Sequence, residues 1–128
     1  MTSSTDSRAR EFSWLLSKFS SDVPGVVHTV AVSADGLVLS ASDGLGDSVA
    51  DQFAAITSGL DSLTWNCANL FGVGDVVRQV IETRGGFLLI ARINDRASLG
   101  VVTGRDVDLG QVGYEMTLFT ERAGARCV

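Results

Sequence analysis

The side chains that most often do chemistry are few and scattered in this sequence of 128 residues. A Ser-His-Asp or Cys-His site needs a histidine as its base, and the only histidine is His28. Because His28 stands inside a β-branched stretch, we expect a strand residue with a local hydrogen bond. The only lysine, Lys18, lacks the glycine-rich loop that cradles phosphates in ATPases and GTPases. The sequence therefore predicts neither a hydrolase of these types nor a phosphate-binding loop.

Candidate metal ligands are equally sparse. The stretch Asp106-x-Asp108-x-Gly110 begins like a calcium loop, but Thr117 stands where the bidentate acid should be. Cys67 and Cys127 share no metal or disulfide spacing, so we expect two free thiols. A solvated loop explains the other clustered acids better than an acid/base pair does: Asp35, Asp43 and Asp47. We predict a protein that is not an enzyme and holds no metal or cofactor.

Composition narrows the class of protein further. The net charge of −5 and the pI near 4.6 argue against nucleic-acid binding, which usually requires a basic patch. The longest apolar runs, such as 87–91, are too short to cross a bilayer, and the start of the chain has no apolar signal-peptide core. We expect a cytoplasmic protein with a disordered leader (1–7), one globular domain (8–123) and a short tail (124–128).

One long helix organises the predicted fold. Between Asp47 and Leu70, apolar residues recur with alternating spacings of four and three: Val49, Phe53, Ile56, Leu60, Leu63, Cys67 and Leu70. This spacing keeps one helix face apolar over about six turns, whereas a strand would alternate at every second residue. At ~1.5 Å per residue the helix would be roughly 35 Å long, enough to cross a small sheet. We expect the neighbouring strands to pack on this apolar stripe.

A second stripe on the same helix carries small side chains. Ala55, Gly59 and Ser62 lie close to one another on a helix, and a glycine inside a helix costs about 1 kcal/mol relative to alanine. One interpretation is that another backbone approaches closely at Gly59. The other is that Gly59 is merely tolerated at an exposed position, and the residues alone favour neither.

The remaining elements follow from periodicity and turn residues. Helices are predicted from Asp6 or Ser7 to about Ser21 and over 106–123, and strands over 26–33, 37–42, 75–83, 87–93 and 98–103. The turns between successive strands are short, which makes those strands antiparallel. Consecutive apolar residues at 87–91 indicate a strand that is covered on both faces by helices. The predicted order is α-β-β-α-β-β-β-α in an α/β fold.

Several motifs together resemble those of the Roadblock/LC7 domain family. They are Pro24-Gly25-Val26, then Val30-Ala31-Val32-Ser33-x-Asp35-Gly36-Leu37, the long helix with its small residues, Leu70-Phe71-Gly72-Val73-Gly74, and Gly86-Phe87-Leu88-Leu89. The resemblance extends from about Phe12 to Phe119. It implies a three-layer α/β/α, profilin-like architecture with a five-stranded antiparallel sheet.

The closing segment, Asp108 to Met116, resembles the last helix of bacterial members encoded beside a small Ras-like GTPase and a sensor-kinase-like membrane protein. The resemblance implies a homodimer in which the long helices lie side by side and the sheets join through the strand at 75–83. The expected interface residues are Ala55, Gly59, Ser62, Val77, Gln79 and Ile81. It also implies a non-catalytic regulator of the GTPase, recruited to a membrane through its partners.

Two other functions are also compatible with the sequence. One is an assembly scaffold that holds the kinase-like protein and other subunits without altering GTP turnover; the other is a small-ligand sensor. If the protein acts on a GTPase, Arg78, Arg84 and Arg96 are available in principle as arginine fingers in trans. No feature of the sequence selects one of them, and the resemblance favours reshaping of the GTPase switch loops instead.

Overall fold

The fold consists of one sheet between two layers of helices. The computed structural model describes the backbone of residues 2–126, with the side chains of residue 10 and residues 12–124. These residues form three helices and five strands in the predicted order. They are α1 (Thr2–Asp22), β1 (Val26–Ser33), β2 (Val38–Ala41), α2 (Asp47–Phe71), β3 (Gln79–Glu82), β4 (Gly86–Asn94), β5 (Ala97–Gly104) and α3 (Leu109–Arg126).

The strands within residues 2–126 form one five-stranded sheet in the spatial order β2-β1-β5-β4-β3, with every neighbouring pair antiparallel. Helices α1 and α3 cover one face, where Phe19 and Phe119 meet edge to face, and α2 covers the other. The predicted three-layer architecture and antiparallel sheet are confirmed. Strands β2 and β3 lie at the two edges of the sheet.

The two sides of the sheet have very different cores. On the α1/α3 side a large cluster of aliphatic and aromatic side chains includes Leu89, Leu99 and Met116. On the α2 side the buried cluster contains only Val30, Val32 and Ala54 among the described residues. Leu89 and Ile90, consecutive in β4, are both buried, so the prediction that this strand is covered on both faces is confirmed, although β5 rather than β4 is the central strand of the sheet.

Several helix boundaries differ from the predicted ones. Helix α1 begins at Thr2 and so extends into the segment predicted as a disordered leader; no proline or glycine interrupts the chain before Pro24. Gly46, rather than Asp47 or Ser48, is the N-cap of α2. The predicted glycine termination of α2 is confirmed: Gly72 is left-handed, with φ of 61°.

The third strand and the last helix are shorter at their starts than predicted. Strand β3 begins at Gln79, not at Asp75. Helix α3 begins at Leu109 because Asp108 is its cap: Asp108 Oδ1 accepts a hydrogen bond from the backbone N–H of Gln111 at 3.1 Å. Helix α3 continues to Arg126, into the predicted tail, and Cys127 and Val128 lie outside the described residues.

Candidate interaction surface

The residues considered for catalysis and metal binding do not assemble into a site. His28 lies in β1 as predicted, but its Nδ1 is buried without a hydrogen-bond partner, so the expected local bond is not formed at this atom. Asp108, from the calcium-like stretch, caps α3 instead. In the part of the chain that the structure describes, no three potential metal-ligating side chains come together.

Helix α2 rests on the sheet through small side chains. Its buried residues repeat at helical spacing: Ala50, Ala54, Thr57, Asp61 and Ala68. The contact is close enough to require glycine in the facing strand. A Cβ added at Gly100 of β5 would lie 2.5 Å from Thr57 Oγ1 and 3.2 Å from Phe53 Cζ. Small residues on both sides therefore set the short distance between α2 and the sheet.

A buried ion pair fixes α2 to strand β4. Arg92 donates to Asp61 Oδ2 through Nε at 3.0 Å and through Nη2 at 2.7 Å. The same guanidinium lies 4.0 Å from the centre of the Trp65 ring, within the range of a cation–π contact. Because Asp61 is buried and both its contacts come from one residue, the pair sets how α2 lies across β4.

The apolar stripe of α2 does not pack on the sheet. Val49, Ile56, Leu63 and Leu70 expose 53% to 77% of their surface, and Cys67 is exposed as well. The prediction that the neighbouring strands bury this stripe is therefore wrong. The reason is steric: leucine and isoleucine at the sheet-facing positions would hold the helix away from Gly100. Phe53 and Leu60, at the border of the stripe, are half-buried.

The stripe of small residues also lies away from the sheet. Ala55, Gly59 and Ser62 are exposed, and a Cβ added at Gly59 would meet nothing within 4 Å. This flank of α2 faces the turn between β1 and β2, where Ser58 Oγ donates to the carbonyl oxygen of Ala34 at 3.1 Å. Since each residue turns a helix by about 100°, the small and apolar stripes occupy different flanks of α2.

The apolar flank of α2 faces strand β3 at the edge of the sheet. Gln79 Nε2 donates to the carbonyl oxygen of Leu60 at 3.3 Å, and alternation places Ile81 on the same face as Gln79. Arg78 lies on the opposite face, where its Nη1 donates to the carbonyl oxygen of Gly113 at 3.4 Å. Among the described residues, β3 pairs only with β4, so its outer edge is unpaired.

The apolar stripe lies beside the β3 edge where Gln79 meets Leu60, and we call the two together the α2–β3 surface. It comprises Val49, Ile56, Leu60, Leu63, Leu70, Val77, Gln79 and Ile81. A contiguous apolar patch beside unpaired backbone groups is typical of a protein–protein interface, because single chains rarely leave either feature open to water. Gly59 borders this surface, between Ile56 one turn before it and Leu63 one turn after it.

Comparison with known families agrees with this architecture. The model of the Roadblock/LC7 domain matches residues 12–103, which include the sheet and both helices α1 and α2 from residue 12 onwards. The chain belongs to the Roadblock/LC7 family. None of the curated proteins matches it.

Solved Roadblock/LC7 structures share the whole fold. A Roadblock/LC7 domain from Streptomyces avermitilis is 36% identical, with a TM-score of 0.81, and the match covers 86% of this chain and 92% of that one. MglB from Myxococcus xanthus has a TM-score of 0.83 at 16% identity, covering 91% and 87% of the two chains. The gliding protein MglB of Thermus thermophilus has a TM-score of 0.78 at 19% identity, covering 94% and 89%. At these lower identities the likeness concerns the fold.

The structure also shows what sequence reasoning missed in this Roadblock/LC7 chain. The Asp61–Arg92 pair and the close packing of α2 on Gly100 were not predicted. Asp61 stands at helical spacing from Ala54 and Thr57, and this spacing could have indicated a carboxylate on the small-residue face of the helix. Of the predicted interface residues in the strand at 75–83, Gln79 and Ile81 lie in β3, and Val77 precedes it. No helix in the described part of the chain is long and apolar enough to span a membrane.

Proposed function

We propose that this Roadblock/LC7 chain is a homodimeric, non-catalytic regulator of a small Ras-like GTPase, acting in a bacterial signalling complex with a sensor-kinase-like protein. The protein would work by presenting a surface, and the described residues bring no three potential metal-ligating side chains together. Recruitment to a membrane would occur through that partner. The alternative is a scaffold that assembles the same complex without changing GTP turnover.

The α2–β3 surface is the observation that supports the dimer. Joining two copies through it would bury the leucines, isoleucine and valine of the stripe and pair the outer edge of β3 with its twofold mate. Complete burial of one such side chain contributes roughly 1.5–3 kcal/mol, so several partly exposed ones supply enough to offset part of the cost of association. The two sheets would then form one continuous platform for a partner.

The six predicted interface residues lie at different positions relative to the proposed dimer interface. Gln79, Ile81 and Val77 lie at the edge that the dimer would join, and Gly59 would let the two α2 helices approach closely where they cross. Ala55 and Ser62 lie on the flank toward the β1–β2 turn, so they contact the partner helix only if the helices meet through the small stripe. A dimer joined through the apolar stripe and a dimer joined through the small stripe should therefore respond differently to substitutions.

The arginines offer limited scope for chemistry in trans. All three are exposed: Arg84 and Arg96 lie at turns, and Arg78 donates through Nη1 to the carbonyl oxygen of Gly113 at 3.4 Å. An arginine finger that stabilises transferred phosphate is worth about 10³–10⁵ in rate. We propose instead that the dimer reshapes the switch loops of the GTPase, so single substitutions of these arginines should change hydrolysis far less than that.

Nucleotide hydrolysis by the partner separates regulator from scaffold. The small GTPase is co-purified with this chain from its native cell, and its GTP turnover is measured with and without added wild-type chain. A changed rate supports the regulator, and an unchanged rate in a stable complex supports the scaffold. Arg84→Ala and Arg96→Ala are tested in the same assay. A loss of orders of magnitude with binding intact would refute the switch-loop mechanism in favour of an arginine finger.

A further inference from the structure

The sheet has a second unpaired edge, at the end opposite β3. Strand β2 pairs only with β1 within residues 2–126. The backbone N–H of Ser42 donates to the carbonyl oxygen of Thr29 at 2.9 Å, so Ser42 faces β1. Because successive residues of an antiparallel strand alternate, the N–H and C=O of Ala41 face outwards. Such groups are the ones to which an added strand binds.

A groove of about 640 Å³ runs along this edge, and we call it the β2 groove. Ser13 of α1 forms one wall, the first turns of α2 form the other, and β2 with the loop at 43–46 forms the floor. Ser13 and Ser40 are joined through their hydroxyl oxygens at 3.1 Å, which ties α1 to the strand. Leu37 and Leu39 are exposed at the start of the strand but do not line the groove.

The charged residues that line the groove are all acidic. Asp43, Asp47 and Asp51 line it and are exposed, and none of them forms an ion pair with a described residue. The sequence contains no lysine or arginine from residue 19 to residue 77. An occupant with positive charge would therefore meet three unneutralised carboxylates beside an unpaired strand.

This charge distribution also determines which occupant fits. Two copies joined through β2 across a twofold axis would bring their two sets of aspartates together, and repulsion between these like charges disfavours the contact. The register of β2 shifts between its pairs Ala31–Ser40 and Val32–Val38, leaving Leu39 as an extra residue, so a strand can add most readily on the Ala41 side of this bulge. A short basic segment that pairs beside Ala41 avoids the charge repulsion and does not need the whole length of β2.

We propose that the β2 groove binds an extended, basic segment of a partner protein, which adds a strand to β2. This inference does not depend on the GTPase proposal, and the proposed dimer leaves β2 free. The added segment would pair with the outward backbone of β2 beside Ala41 and place lysine or arginine against the three aspartates.

The test uses three fluorescein-labelled hexapeptides on the full-length chain. The first is Lys-Val-Lys-Val-Arg-Val-amide with the fluorescein on its amino terminus, the second replaces every cation by glutamate, and the third keeps the cations but carries N-methylated backbone amides. Affinity is measured by fluorescence anisotropy, and the site is mapped by amide chemical shifts. We expect the basic peptide to bind with shifts concentrated at residues 37–51, and the N-methylated and acidic peptides to bind about tenfold more weakly or not at all.

Matched variants locate the charge contribution. The double substitution Asp43→Asn/Asp51→Asn should lower the affinity for the basic peptide by about threefold to tenfold. The control Asp75→Asn/Asp106→Asn, at exposed positions outside the groove, should change that affinity little. Circular dichroism checks that each variant is folded, and neither pair includes the first residue of α2. Equal binding of the N-methylated peptide, shifts centred outside residues 37–51, or no binding of the basic peptide up to about 1 mM would each overturn the proposal.

Discussion

Replacing Leu63 by alanine tests whether the apolar stripe of α2 is the dimer interface. Leu63 is 66% exposed in the single chain, and it belongs to the apolar stripe of the α2–β3 surface. Burying a complete leucine is worth about 1.5–3 kcal/mol, and alanine retains only the first side-chain carbon. The substitution should thus remove roughly 1–1.5 kcal/mol from each copy. In a symmetric dimer it counts twice, so the dissociation constant should rise about 30-fold to 150-fold.

The chain supplies a matched control for this substitution. Leu37 is 64% exposed, nearly the same fraction as Leu63, but it follows the turn between β1 and β2, beside the small stripe. Sedimentation equilibrium over a range of concentrations measures the dimer constant of Leu63→Ala, Leu37→Ala and the wild type. Alanine favours the helix at least as well as leucine, so Leu63→Ala should remain folded. A weaker dimer for Leu37→Ala with no change for Leu63→Ala would refute the apolar-stripe interface and favour contact through Ala55, Gly59 and Ser62.

Three further substitutions test the interface and the seating of α2. Gly59→Arg should give a folded chain with a weakened dimer in sedimentation, since its Cβ has free space but its charged end would stand between two helices. Gly100→Ala should lower the free energy of unfolding by about 1–3 kcal/mol in urea because its methyl group would press on α2, whereas Gly104→Ala, with nothing within 4 Å, should not. Asp61→Ala should cost about 2–4 kcal/mol in the same assay, because it leaves the Arg92 guanidinium without its carboxylate.

Periodicity and turn residues were sufficient to predict the element order, the antiparallel sheet and the two-sided cover of β4. They worked because each element carries its own local signal, such as the Gly72 cap or the apolar run at 87–91. The predicted boundaries of β3 and α3 were less accurate. Residues 75–78 have the sequence pattern of a strand, but they do not pair with β4. The Asp61–Arg92 contact joins residues 31 positions apart, and no local pattern reports such a pair.

The wrong assignment of the apolar stripe has a more general physical cause. A spacing of four and three shows that one helix face is apolar, but it does not say whether the sheet or another molecule covers that face. Size complementarity decides between them: a helix that faces Gly100 can approach only with residues such as Ala54 and Thr57. The large side chains must then point elsewhere. The face of α2 that carries Ala50, Ala54 and Thr57 is therefore the one that lies against the glycine of β5, and the face with the large apolar side chains is left for a partner.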